Sequence, residues 1–129
     1  MATFKKEISY LSLQIVDGEH KEVEVTKTFT FKDLSRRDPE QGKLFFRVSS
    51  IVGSNEDGAY NIDSDALYDL TKKALSVLML TGSDYETTEI DKREVVSDSG
   101  ALLSFGIWFL KEKYMPFFLQ YKTSLQGLM

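Results

Sequence analysis

From Glu22 to Phe31 the side chains alternate in character, with Val23, Val25, Phe29 and Phe31 on one side of an extended chain and Glu22, Glu24, Thr26, Thr28 and Thr30 on the other. Successive Cβ atoms of a strand point to opposite faces, so this order suits a strand with one buried and one wet face. Lys27 interrupts the apolar side, which predicts an edge position or an aliphatic stem laid along apolar neighbours. Upstream, from Ile8 onward, Leu11, Leu13 and Ile15 share one face and Tyr10, Ser12, Gln14 and Val16 the other. Asp17-Gly18 lies between the two runs. Glycine takes positive φ without steric cost, so the pair predicts a hairpin turn, with Glu19 and His20 available to lengthen the loop. After a polar connection over Asp33 to Gly42, alternation resumes from Lys43 to Val52, with Leu44, Phe46 and Val48 opposite Phe45, Arg47 and Ile51. That run predicts a third strand.

Beyond the loop-forming stretch Gly53 to Gly58 the period changes to that of a helix. Asp63 or Ser64 can cap a helix reaching about Leu80, because Ala66, Leu67, Leu70, Ala74, Val77 and Leu78 recur at three and four residues. Thr81-Gly82 supplies the stop. A short charged helix is expected between Thr87 and Val96, with Ile90, Val95 and Arg93 inward. Ser97-Asp98-Ser99 offers a cap for Gly100 to Met115, which is apolar on nearly every side and reads as the central helix until Pro116 kinks or ends it. The expected fold class is therefore α+β: an antiparallel sheet of about three strands in the N-terminal half, followed by three or four helices packed on it. One domain is expected over residues 1–129, strand-rich over 1–53 and helical over 61–129.

A chain of 129 residues with 42% hydrophobic and 12% aromatic content has the means for a real core. It has no cysteine, so packing alone must hold it, and a reducing, cytoplasmic setting is expected. No signal peptide is read at the N-terminus, and the apolar block Ala101 to Leu110 is far shorter than the roughly 20 residues a bilayer demands. The net charge of −4 is unevenly placed: residues 54–98 carry eleven acidic against four basic side chains. Such a surplus repels phosphate backbones and disfavours nucleic acid as a partner. The acidic segment Asp84 to Asp98 reads first as a solvated face and second as a docking surface for a basic partner.

Candidate chemistry is thin. His20, the only histidine, falls at the hairpin turn with no positioned partner in the sequence, so it is not taken as a general base. One histidine and no cysteine do not make zinc-ligand spacing. Asn61, Asp63 and Asp65 open like a calcium loop, but Ala66 stands where its turn glycine belongs and Lys72 where its closing glutamate belongs. Ser104 lacks the glycine of a nucleophile elbow and reads as a core serine bonded back to its own helix. No cofactor and no metal are expected, and the chain is read as a non-catalytic protein-interaction module. Trp108, Tyr114, Phe117, Phe118 and Tyr121 exceed what one helix end usually buries, so they are the candidate partner-binding residues, with self-association and core packing equally open. The alternative is a small-ligand pocket between sheet and helices lined by Phe29, Phe46 and Trp108, with Arg47 as its polar group.

The layout around Val96-Ser-Asp-Ser-Gly-Ala-Leu-Leu103 and Met115-Pro-Phe-Phe118, behind a strand-rich first half, resembles that of small tail proteins of long-tailed bacteriophages, nearest to the tail assembly chaperones. The resemblance implies a protein that binds a tape-measure or tail-tube protein in the host bacterial cytoplasm, without a catalytic step. The sheet departs from the more helical members of that family and brings a structural virion component into view. No residue role is carried over.

Overall fold

The computed structural model describes residues 2–42, 44, 52–54 and 60–117. Strands β1 (Thr3–Val16) and β2 (Glu19–Lys32) form an antiparallel hairpin paired one-to-one, without a bulge, from Thr3 opposite Lys32 to Val16 opposite Glu19. Asp17 (φ 52°) and Gly18 (φ 81°) both take the left-handed conformation, so the turn has two residues, and Glu19 and His20 belong to the strand instead of lengthening the loop. Turns of this hand match the twist of the strands they join. Each strand is 14 residues long, or about 46 Å at about 3.3 Å per residue.

The sheet's third strand, β5 (Met79–Leu80), is only two residues long and pairs antiparallel with Thr30 and Phe31, giving the order β1-β2-β5. A separate two-stranded ladder joins β3 (Val52–Ser54) to β4 (Tyr60–Ile62). Of the segment expected to form the third strand, Leu44 is buried and helical, not extended, and Val52 belongs to β3; the remainder lies outside the described residues. The architecture is α+β: among the described residues, a three-stranded antiparallel sheet with three α-helices from Ser64 onward.

Helix α1 (Ser64–Leu78) starts at Asp63, whose carboxylate accepts the Ala66 amide at 3.0 Å, and it stops before Leu80 because Met79 and Leu80 pair with β2. Helix α2 (Glu89–Val96) opens with a capping box: the Thr88 hydroxyl accepts from the Asp91 amide, and the Asp91 carboxylate accepts from the Thr88 amide. Its inward face is Asp91 and Val95, whereas Ile90 and Arg93, expected to point inward, are exposed. Helix α3 (Ser99–Phe109) is capped by Asp98 and passes into one π-helical turn, Leu110–Tyr114, where the Met115 amide reaches back to the Leu110 carbonyl. Pro116 has no N–H to return to this turn, and widening it is one way a helix accommodates the loss. Gly106 lets α3 close on α1, since a Cβ there would overlap the Thr71 hydroxyl.

One sheet face, carrying Phe4, Ile8 and Tyr10 from β1 and Phe29 and Phe31 from β2, is buried beneath these helices. Phe31 lies stacked between Phe4 (centroids 5.0 Å) and Phe105 (5.1 Å), and Phe105 stacks in turn on Phe109 (5.7 Å). Each fully buried ring contributes on the order of 2–3 kcal/mol, so this column anchors the sheet to α3. Among the described residues no helix is long and apolar enough to cross a membrane.

Candidate functional site

Of the aromatic residues singled out in the C-terminal third, Trp108 and Tyr114 extend the core. Trp108 is half-buried, its ring 5.9 Å from Phe4 and 6.0 Å from Phe105, with the Lys6 ammonium 4.7 Å above it. Tyr114 is buried, packs on Phe109 and donates its hydroxyl to the Leu44 carbonyl. Phe117 is half-buried; Phe118 and Tyr121 lie outside the described residues. Of the side chains proposed to line a ligand pocket, Phe29 is fully buried with its edge against Tyr10, and Trp108 is packed as above. Phe46 and Arg47 lie outside the described residues. Ser104 is exposed on α3 instead of buried in the core, and His20 stands exposed near the hairpin tip, across from Ile15.

Asp91 is the only charged residue buried among the described residues. Its Oδ1 accepts from the Tyr10 hydroxyl at 3.1 Å and the Lys27 ammonium at 2.9 Å, and its Oδ2 accepts from the Thr88 amide at 2.8 Å and the Thr88 hydroxyl at 3.2 Å. Burial pushes its pKa up, but the bonds from Thr88, Lys27 and Tyr10 and the charge of Lys27 outweigh that and hold it below the usual carboxylate value. Tyr10 is pushed up from its ordinary value by burial, then by its bond to Asp91 and the charges of Asp91 and Glu94. Four donors occupy this carboxylate, so its arrangement suits a structural clamp between hairpin and α2 better than a proton-transfer group. Lys27, which broke the alternation of β2, is thereby explained: it answers a buried charge. Among the described residues no three histidine, aspartate or glutamate side chains gather as a metal-binding group.

The most unusual surface lies on the hairpin's other face. Along β1 the apolar residues occupy even positions at Phe4, Ile8 and Tyr10, then odd positions at Leu11, Leu13 and Ile15, while the ladder runs on without a bulge. Only a one-residue slip or a bulge would return the second set to the core side. Leu11, Leu13 and Ile15 are consequently 44%, 63% and 70% exposed, opposite Glu24, Glu22 and His20 of β2. Along the free edge of β1, α2 and the cap of α3 reach in with carboxylates. The Leu11 amide donates to Asp98 Oδ2 and the Leu13 amide to Glu94 Oε2, both at 2.8 Å. Asp98 Oδ1 meanwhile accepts from the Gly100 and Ala101 amides that start α3. These side chains satisfy an edge that would otherwise present unpaired donors.

Between edge and helices runs an open-sided groove of about 770 Å³, lined by Leu11, Leu13, Glu22, Ile90, Glu94 and Asp98, with Arg93 beside them. It offers apolar contact and negative charge. The change of apolar phase after Tyr10 could have pointed to the stripe from sequence; the groove could not be seen there, because it needs the placement of α2. Ser97, Asp98, Ser99 and Gly100 complete the lining of the groove. Fold and surface together define an α+β domain whose long hairpin carries an exposed apolar stripe. Compared with protein-family models, with curated proteins and with solved structures, the chain matches none.

Proposed function

We propose that this protein works by binding another polypeptide, without a chemical step of its own, and that the outward stripe of the hairpin is its contact surface. The observation that carries the proposal is the exposure of Leu11, Leu13 and Ile15 in consecutive outward positions of one strand. Contiguous apolar surface of this kind is uncommon on a folded chain unless something covers it. The finer reading is a tail assembly chaperone of a long-tailed bacteriophage, acting on a tail protein in the host cytoplasm; its support is the resemblance at Val96 to Leu103 and Met115 to Phe118. A virion component is the second reading, favoured by β2, whose outer edge pairs with β5 only at Thr30 and Phe31 among the described residues.

The test is a photo-crosslinking residue placed at Leu13 or Ile15 in the full chain, co-expressed with the products of the genes flanking its own. A discrete adduct, identified by mass spectrometry and missing when the probe sits at exposed Lys5, is the expected result. A tail-tube or tape-measure protein in that adduct supports the chaperone reading. Irradiation that yields no adduct at either stripe position would overturn the interaction proposal.

A further inference from the structure

We infer that the occupant of the groove beside β1 is a polypeptide segment in which apolar side chains are interleaved with lysine or arginine, an inference that rests on the interaction proposal above. Leu11, Leu13 and Ile90 form the apolar part, and the rim is acidic: Glu22, Glu94 and Asp98 line the groove, and Glu24 stands across from Leu11 on the same sheet face. Arg93 is the one basic side chain among the lining residues. Three carboxylates against one guanidinium among the lining residues, with Glu24 adjacent, set a field that attracts a cationic segment and repels an acidic one.

Two of the carboxylates are fixed in place. Glu94 is tied to the Leu13 amide, and Asp98 to the Leu11, Gly100 and Ala101 amides, so their charges are positioned before any partner arrives. Glu22 and Glu24, on the outward face of β2, are free to follow a ligand's cations. The shape also favours a chain over a small molecule, because ligand pockets enclose most of their occupant and this groove lies open along a strand. A second copy presenting this same stripe would bring its own acidic rim towards this one, and like charges oppose such a pairing.

The experiment uses the full chain and three fluorescein-labelled ten-residue probes: alternating leucine and lysine, alternating leucine and glutamate, and alternating serine and lysine. Fluorescence anisotropy should show the leucine–lysine probe binding at least about tenfold more tightly than either of the others, with affinity falling as salt is raised. The double variant Glu22→Gln, Glu24→Gln and the single variant Leu13→Ser should each weaken that probe about tenfold. Both substitute exposed residues, and an unchanged melting temperature verifies that each variant folds. Equal binding of the leucine–glutamate probe, or no loss in the glutamine variant, would overturn the inference. So would a Leu13 crosslink to an acidic partner, or light scattering that shows a dimer abolished by Leu13→Ser; either result leaves the interaction proposal standing.

Discussion

At the proximal end of the hairpin Phe4 lies on Phe31 and Phe31 on Phe105, every ring enclosed; at the distal end Leu11, Leu13 and Ile15 lie in the open across from Glu24, Glu22 and His20. Both ends belong to the same two strands, share one uninterrupted register and follow the same pleat. What separates them is which face the helices cover and how far along it they reach. The ring column of α3 covers the proximal end, and α2 crosses the middle, where Asp91 meets Tyr10 and Lys27. Past Ser12 and Val23 both faces are open: Gln14 and Lys21, on the covered side, are as exposed as their neighbours. Alternation therefore tells which residues share a face, and tertiary packing decides whether that face becomes core.

The sharpest way to break this contrast is to remove a proximal ring. Phe31→Ala deletes a side chain stacked on two others in a filled core, and should cost about 3–5 kcal/mol of folding stability in denaturant titrations. A loss below about 1 kcal/mol would mean that the ring column is not the anchor and that the two halves of the hairpin differ less than their burial suggests.

A smaller effect is expected at the crossing point. Asp91→Asn keeps the shape but replaces an acceptor of four bonds with an amide whose nitrogen faces donors, and should cost about 2 kcal/mol near neutral pH. The sign with pH follows from the depressed folded-state pKa. The carboxylate's contribution is complete above its unfolded value near 3.8 and is lost as pH falls through the lower folded value. The gap between wild type and variant should thus be constant above about pH 6 and narrow below about pH 4. A gap that stays flat across that acid range would show that the cost comes from altered packing and not from the ionised clamp.

Much of the fold was legible in the order of residues. Asp17-Gly18 announced the turn, Glu22 to Phe31 the strand beside it, and Asp63 and Asp98 the starts of α1 and α3. Two features were hidden for physical reasons. The sequence assigns the inward face of α2 to Ile90, Val95 and Arg93, of which Val95 alone is buried, because a buried Asp91 makes sense only once Lys27 and Tyr10, distant in sequence, are beside it. The strand Met79–Leu80 reads as the last turn of a helix until Thr30 and Phe31 present an edge to pair with. As for the site, sequence placed the contact surface on aromatic rings near the C-terminus, and the rings described there extend the ring column of α3. The exposed stripe was visible as a strand face; its exposure was not, since that depends on what the opposite face packs against.

The smallest expected effect is also the most informative about the distal half. If Leu11, Leu13 and Ile15 face water in the isolated protein, replacing Leu13 and Ile15 together by serine removes little buried area, and unfolding free energy should move by no more than about 0.5 kcal/mol per site. Serine is a poorer strand former than leucine or isoleucine, so a shift within that range toward lower stability is already accounted for. A loss comparable to that of Phe31→Ala would mean instead that these side chains are covered within the protein's own fold, and the stripe would cease to be a surface at all. Near-neutral stability, combined with loss of the partner adduct when the crosslinking residue is placed at Leu11 of this variant, would separate the two halves cleanly: one set of apolar residues kept for folding, the other kept for contact.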